Sequence, residues 1–323
     1  MATSNHITKV AIVGAGGNSG KFMTEALLKT GKHTVTAITR ADSQSKLPEG
    51  VISKSVDYDK PEAIVEAPRG QDALVITLAG GVPKDTDIKL VNAAGEAGVK
   101  WILPNESAPD TANEALVKDL FVFQPKVQAT RKAIADLGKS AFIAVSTCFW
   151  YEWSLAIPPA FSFDFAQRTV TLFDEVLGQE TDPCKVGRAV AALLSLPIKP
   201  ECSNKDACLE KLKNKAVYTN SFTVSQKDML ESALRVTGGK EEDWTITKEP
   251  SHERYSNGLK EIKEGQRIGF AKMMYTRVFY PDGCGDFENS KGTINSLLGL
   301  PNEDIDESTE RAIERSKATS WVH

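Results

Sequence analysis

Short apolar runs punctuate the first half of the chain, at Lys9–Val13, Thr34–Thr39, Val51–Ser55, Ala73–Leu78, Trp101–Leu103 and Ala141–Val145. They are rich in Val, Ile and Leu, the pattern of strands buried on both faces. Between them the apolar spacing lengthens to that of helices, at Ser19–Lys29, Pro61–Glu66, Thr86–Ala97 and Pro125–Leu137. Gly31, Gly98 and Gly138 stand just past three of these helices, where a helix stop favours glycine. Strand and helix alternating at this spacing predict an α/β chain with a Rossmann-type, doubly wound parallel sheet.

After Cys148 the rhythm changes. The stretch FWYEWSLAIPPAFSFDF is aromatic and broken by prolines, and reads as a loop or lid. A strand is expected at Arg168–Phe173 and an amphipathic helix at Lys185–Leu196. A further strand and helix follow within AVYTNSFTVSQKDMLESALRV, with Ser225 as the N-cap. Trp244 to His323 reads as mainly helical, with a turn at YPDGCGD. The expected plan is a nucleotide-binding domain over residues 1–150 and a smaller, mainly helical substrate-binding lobe over 151–323, free to interleave with the first.

Composition narrows the function classes. The chain has 323 residues, a net charge of −4 and 41% hydrophobic content, ordinary for a globular enzyme and unlike a nucleic-acid or phospholipid binder. No apolar stretch has the length of a membrane span, and the polar start MATSNHITKV lacks the pattern of a signal peptide. Five cysteines without a Cys-x-x-Cys pair fit a reduced, cytoplasmic protein, and four scattered histidines suggest no metal cluster.

The chemistry begins at VAIVGAGGNSG. Gly14, Gly17 and Gly20 fit G-x-x-G-x-x-G between a strand and a helix. The first glycine permits a tight turn, the second lets backbone approach a pyrophosphate, and the third lets helix and strand pack closely. With Asn18 and Ser19 they form a candidate phosphate cradle at a helix N-terminus. The second strand, VTAITR, ends in Arg40 with no acid at its tip, which suits a ribose 2′-phosphate; Lys46 is placed to assist. The expected cofactor is therefore NADP(H). Leu78, Ala79 and Gly80, after the fourth strand, would let backbone pass beside it.

The usual proton donor of short-chain reductases, Tyr-x-x-x-Lys, is missing. Four residues after the six tyrosines stand Glu62, Leu155, Phe222, Leu259, Phe279 and Cys284. The combination of VAIVGAGGNSG, VTAITR, VKWILPNE and PKVQATRKAIADLGKSAFIAVSTCFWYEW instead resembles the NmrA-like, isoflavone reductase-like atypical short-chain dehydrogenases, and more narrowly their fungal CipA-type branch. That resemblance covers Lys9 to Leu196 well and the rest loosely.

It implies a general base or proton relay at Lys126, a cofactor contact at Asn105 and an acid at Glu106. It also places Phe149 near the nicotinamide, with Cys148, Phe149, Trp150, Tyr151 and Trp153 toward a substrate pocket. The residue types suit these roles. A lysine beside a positively charged ring exchanges protons more readily near neutrality. A carboxyl group at the C-terminal edge of a parallel sheet lies where ligands bind. An aromatic run can line a pocket for a flat substrate. This chain departs from the pattern at Ser107, where a tryptophan is expected, and at Cys148, where a glycine is expected. DEVLGQETDPCKVGRAV also replaces a Thr/Ser-rich strand.

Three functions are compatible with these residues. One is an NADPH-dependent reductase acting on an enone, imine or carbonyl of an aromatic secondary metabolite. Another is a redox-neutral cyclase or isomerase, of Pictet–Spengler type, on the same scaffold, with Glu106, Lys126 and Tyr151 as acid–base groups. The third is a non-enzymatic NADP-sensing regulator. The expected partner is a small aromatic substrate, with the protein a monomer or homodimer.

Overall fold

A computed structural model describes residues 4–318 apart from 80–81, 84, 122–123, 175–177, 182 and 202–203. The first half runs β1 (Lys9–Val13), α1 (Gly20–Lys29), β2 (Thr34–Arg40), β3 (Ile52–Val56), α2 (Pro61–Glu66), β4 (Ala73–Ile76), α3 (Thr86–Glu96), β5 (Trp101–Leu103), α4 (Glu114–Asp119), α5 (Gln124–Asp136) and β6 (Ala141–Ser146). These bounds lie close to the apolar runs of the sequence, because the central strands β1 and β4 to β6 are buried on both faces, while the edge strand β3 is largely exposed. Val10 and Ile12 of β1 pack to one side with α1; Ala11 and Val13 pack to the other with Leu90 and Val91 of α3. Gly31, Gly98 and Gly138 take φ of +67°, +84° and +67°, as helix-terminating glycines do.

The second half continues with β7 (Phe149–Trp150), α6 (Tyr151–Leu155), α7 (Pro158–Phe161), β8 (Phe163–Asp164), β9 (Thr169–Leu172), β10 (Gly178–Thr181), α8 (Pro183–Leu194), α9 (Leu209–Leu212), β11 (Lys215–Tyr218), β12 (Phe222–Val224) and α10 (Gln226–Thr237). β13 (Thr245–Lys248), α11 (Ser251–Lys263), α12 (Ile268–Thr276), α13 (Phe287–Lys291) and α14 (Ile305–Ala318) complete it. Ser225 caps α10 as expected, in a reciprocal capping box with Asp228.

Seven parallel strands form the central sheet in the order β11-β6-β5-β4-β1-β2-β3. The order reverses between β1 and β4, and the crevice at such a reversal is where ligands bind in open α/β sheets. A boundary at residue 150 does not separate two cores. Val186, Val190 and Leu194 of α8 and Val217 of β11 pack into the same core as β1 and α1. The second lobe has its own core, built from α6, α7, α10, α12 and α14.

FWYEWSLAIPPAFSFDF is not a loop or lid. It folds into β7, α6, α7 and β8, and Tyr151, Phe161 and Phe163 are among the most deeply buried side chains of the second core. Its partners, α12 and α14, lie more than a hundred residues further along the chain, which is why local pattern could not place it. No described helix is long and apolar enough to cross a membrane.

Candidate nucleotide and substrate site

The glycine turn leaves β1 at the sheet reversal. Gly14 has φ +82°, and a Cβ there would lie 1.9 Å from the Thr77 carbonyl oxygen. A Cβ on Gly20 would lie 2.0 Å from the carbonyl oxygen of Gly14. Both are therefore fixed by packing: the Thr77 hydroxyl donates to the Val13 and Gly14 carbonyls and clamps the turn against the end of β4. Gly17 differs. It is exposed, its amide donates to Gly14 O at 2.8 Å, and a Cβ would meet only that oxygen, at 3.1 Å. Its missing side chain leaves open the outer face of the turn, where a pyrophosphate would approach. Asn18 is exposed beside it, and Ser19, preceding α1, makes no capping hydrogen bond with its side chain.

Arg40 ends β2, next to the strand that carries the turn. Its side chain is 68% exposed, and its ion pair with the equally exposed Asp42 spans 3.6 Å. Such a surface pair is weak, so the guanidinium remains available to an anion. The segment holding Lys46 packs against the turn; a Cβ on Gly16 would sit 2.7 Å from the Lys46 carbonyl oxygen. The exposed Arg40 guanidinium thus stands at the end of the strand next to the turn, where a ribose would follow the pyrophosphate. Arg40→Ala is expected to weaken NADPH binding by roughly ten- to hundredfold, the worth of a charge-assisted hydrogen bond. NADH binding should barely move. Titration calorimetry of both nucleotides checks this, and equal losses would contradict a 2′-phosphate site.

Leu78 and Ala79 follow β4 at the same edge, while Gly80 lies outside the described residues. The Asn105 amide donates to the Leu78 carbonyl at 3.0 Å and so joins the ends of β4 and β5. Glu106, next in sequence, is 3% exposed. It accepts Nε and Nη2 of Arg131 at 3.2 and 2.5 Å and the Thr111 hydroxyl at 2.5 Å. Both oxygens are engaged, so Glu106 is an anchor that fixes the loop after β5 rather than an acid open to substrate. Arg131 is the arginine of PKVQATR, and this ion pair gives that residue a structural reason.

Lys126 stands in the first turn of α5, at the C-terminal edge of the sheet that also carries the glycine turn. Its side chain is 35% exposed, and Nζ lies 2.8 Å from Oδ2 of Asp87. Sequence reasoning missed Asp87, one of two acids in KDTD, because nothing local marks it as the buried one.

The aromatic run is corrected by the structure. Tyr151 has no exposure at all; its hydroxyl bonds Thr309 Oγ1 of α14 at 2.9 Å, and its ring packs edge-on to Phe222. A phenol sealed in this way touches no cleft and is not an acid–base group. Cys148 and Phe149 are likewise buried in the second core, Phe149 stacked on Tyr275 with ring centroids 4.0 Å apart. Only Trp150 and Trp153 of the run keep part of their rings accessible. The two meet edge-on, and Arg315 lies over Trp153. Tyr151→Phe is accordingly expected to cost about 1 kcal/mol of stability, seen in chemical denaturation, with NADPH affinity unchanged.

Cys148 holds φ +54°, a left-handed backbone that costs a non-glycine residue of order 1 kcal/mol. That is the physical reason for the glycine expected at this place, and this chain departs from it at the junction of β6 and β7.

The comparisons agree with this geometry. The profile of an NAD(P)H-binding family matches residues 14–144, from the first glycine to β6. The oxidoreductase aprR of Aspergillus flavus is 27% identical over 311 residues, 93% of this chain and 96% of that protein. The isoflavone reductase homolog P3 of Arabidopsis thaliana is 30% identical over 161 residues, 46% of this chain and 50% of that protein. Over residues 14–144 the chain is thus similar to an NAD(P)H-binding family, and its relatives include an oxidoreductase and an isoflavone reductase homolog. Among solved structures, AtPrR2 with NADP+ and (+)pinoresinol superposes with a TM-score of 0.67 at 18% identity, over 98% of this chain and 99% of that one. The likeness of fold thus extends over the second lobe as well as the sheet. The matched profile is NAD(P)H-binding, and the residues fit such a dinucleotide: a turn that admits no Cβ at Gly14 or Gly20, an open face at Gly17, and an exposed Arg40 at the end of the next strand.

Proposed function

We propose that this chain is an NADPH-dependent reductase acting on a flat aromatic electrophile, an enone, imine or carbonyl of a secondary metabolite. The observation that carries the reading is Lys126. Among the acid–base candidates Glu106, Lys126 and Tyr151, it alone has a functional group open to a ligand at the nucleotide edge. Reduced nicotinamide, when bound, supplies the hydride. The glycine turn and Arg40 hold the cofactor's phosphates. Asn105 and the Glu106–Arg131 pair keep the strand ends rigid beneath it. The Lys126 amine moves the proton that must accompany reduction, directly or through water.

The aromatic substrate class rests on the likeness to an isoflavone reductase homolog and on the half-buried Trp150 and Trp153. The redox-neutral alternative keeps only Lys126 of its three acid–base groups and is less well supported. Lys126→Met should lower kcat for NADPH oxidation roughly a hundredfold or more, in line with loss of a general acid–base group, with the dissociation constant for NADPH little changed. Steady-state kinetics against a panel of aromatic enones, imines and quinones makes the comparison. An unchanged kcat would remove Lys126 from the chemistry.

A further inference from the structure

Asp87 carries a buried carboxylate. It is 1% exposed, and among the described residues neither oxygen accepts a hydrogen bond of good geometry from a backbone or side-chain donor. A carboxylate buried this way is costly unless a charge compensates it. Among the described residues its counter-charge is the Lys126 amine, 2.8 Å from Oδ2. Asp87 lies in the first turn of α3, where the helix dipole favours an anion. Lys126 lies in the first turn of α5, which carries no acid of its own and where the dipole disfavours a cation. The two helix starts follow β4 and precede β6, so the pair spans the C-terminal edge of the sheet beside residues 77–79 and Asn105.

We infer that Asp87 is the positioning residue of the Lys126 amine: a buried, fixed negative charge that orients Nζ at the nucleotide edge and holds it there. A long, flexible lysine needs such an anchor to present its amine in one geometry, since its rotamer freedom is large. The inference deepens the reductase reading and rests on it for its catalytic meaning; the coupling of the two side chains does not.

The experiment follows acylation of the Lys126 amine by a water-soluble amine reagent at fixed pH, read by mass spectrometry of its peptide in the full-length protein. Asp87→Asn keeps shape and removes the charge. The expected result is labelling of Lys126 severalfold faster than in the wild type, because an amine no longer held 2.8 Å from a buried carboxylate is free to turn toward the reagent. Other lysine peptides should serve as unchanged references. In turnover, Asp87→Asn should lower kcat with KM nearly constant, whereas Asp87→Glu should recover part of the rate.

Equal labelling in wild type and Asp87→Asn would overturn the inference. Should Asp87→Asn fold poorly, the thermal midpoints of Lys126→Met and of the double variant decide. Lys126→Met strands the buried carboxylate and should lower the midpoint, and adding Asp87→Asn should restore it; strictly additive losses would overturn the coupling. Faster labelling together with no NADPH consumption on any acceptor would leave the pair intact and refute the reductase reading instead.

Discussion

Gly14→Val is expected to abolish NADPH binding and to destabilise the protein by about 3–5 kcal/mol. Two costs add: a β-branched residue is forced to φ +82°, and its Cβ is driven to 1.9 Å from a backbone oxygen of Thr77. Thr77 cannot yield cheaply, because it continues β4, which is paired to β1 on one side and β5 on the other. Gly17→Ala provides the contrast. Its Cβ meets only one oxygen at 3.1 Å and its φ is not positive, so the thermal midpoint should stay within a few degrees of wild type. Its methyl group nevertheless faces the side from which a pyrophosphate must approach, and NADPH affinity should fall by roughly tenfold or more. Differential scanning calorimetry and titration calorimetry on the two variants separate the packing glycine from the binding glycine. Equal behaviour of the two would contradict the division.

The second large effect lies under the loop after β5. Arg131→Ala should cost about 3–5 kcal/mol, the usual penalty for removing one member of a buried ion pair. Glu106 would remain 3% exposed with the Thr111 hydroxyl as its remaining side-chain donor. The double variant Arg131→Ala with Glu106→Gln should recover part of the loss, since a neutral amide needs no counter-charge. Denaturant titrations of the single and double variants yield the coupling energy. A loss below about 1 kcal/mol for Arg131→Ala would show that the pair does not hold the loop. Because Asn105 precedes Glu106 and ties the ends of β4 and β5 together, the same variant should also weaken NADPH binding.

These residues mark where the sequence was readable. The strands of the nucleotide-binding sheet and the helices between them were legible because both faces of the sheet are covered and the apolar runs are nearly continuous. The glycine turn was legible because the spacing of Gly14, Gly17 and Gly20 between a strand and a helix is local, although the residue that packs against Gly14 and Gly20, Thr77, follows the neighbouring strand β4. The aromatic run was not legible, because its environment comes from α12 and α14, whose residues stand far away in the chain. From local pattern an aromatic pocket and an aromatic core look alike. Nor could the sequence tell that Glu106 is spoken for by an arginine twenty-five residues later, or which aspartate of KDTD meets Lys126. β11 was legible as a strand, yet its place beside β6 follows from tertiary packing alone.

On the reading proposed above, hydride would pass from NADPH, held by the glycine turn and Arg40, to an aromatic electrophile with Lys126 managing the proton. Its most direct test is turnover of NADPH deuterated on one face of the nicotinamide C4, with product analysed by mass spectrometry across a panel of aromatic enones, imines and quinones. The account predicts deuterium in the product from one face only, and loss of that transfer in Lys126→Met while NADPH remains bound. Product formed without label, or NADPH bound and left unoxidised by every acceptor, would contradict it.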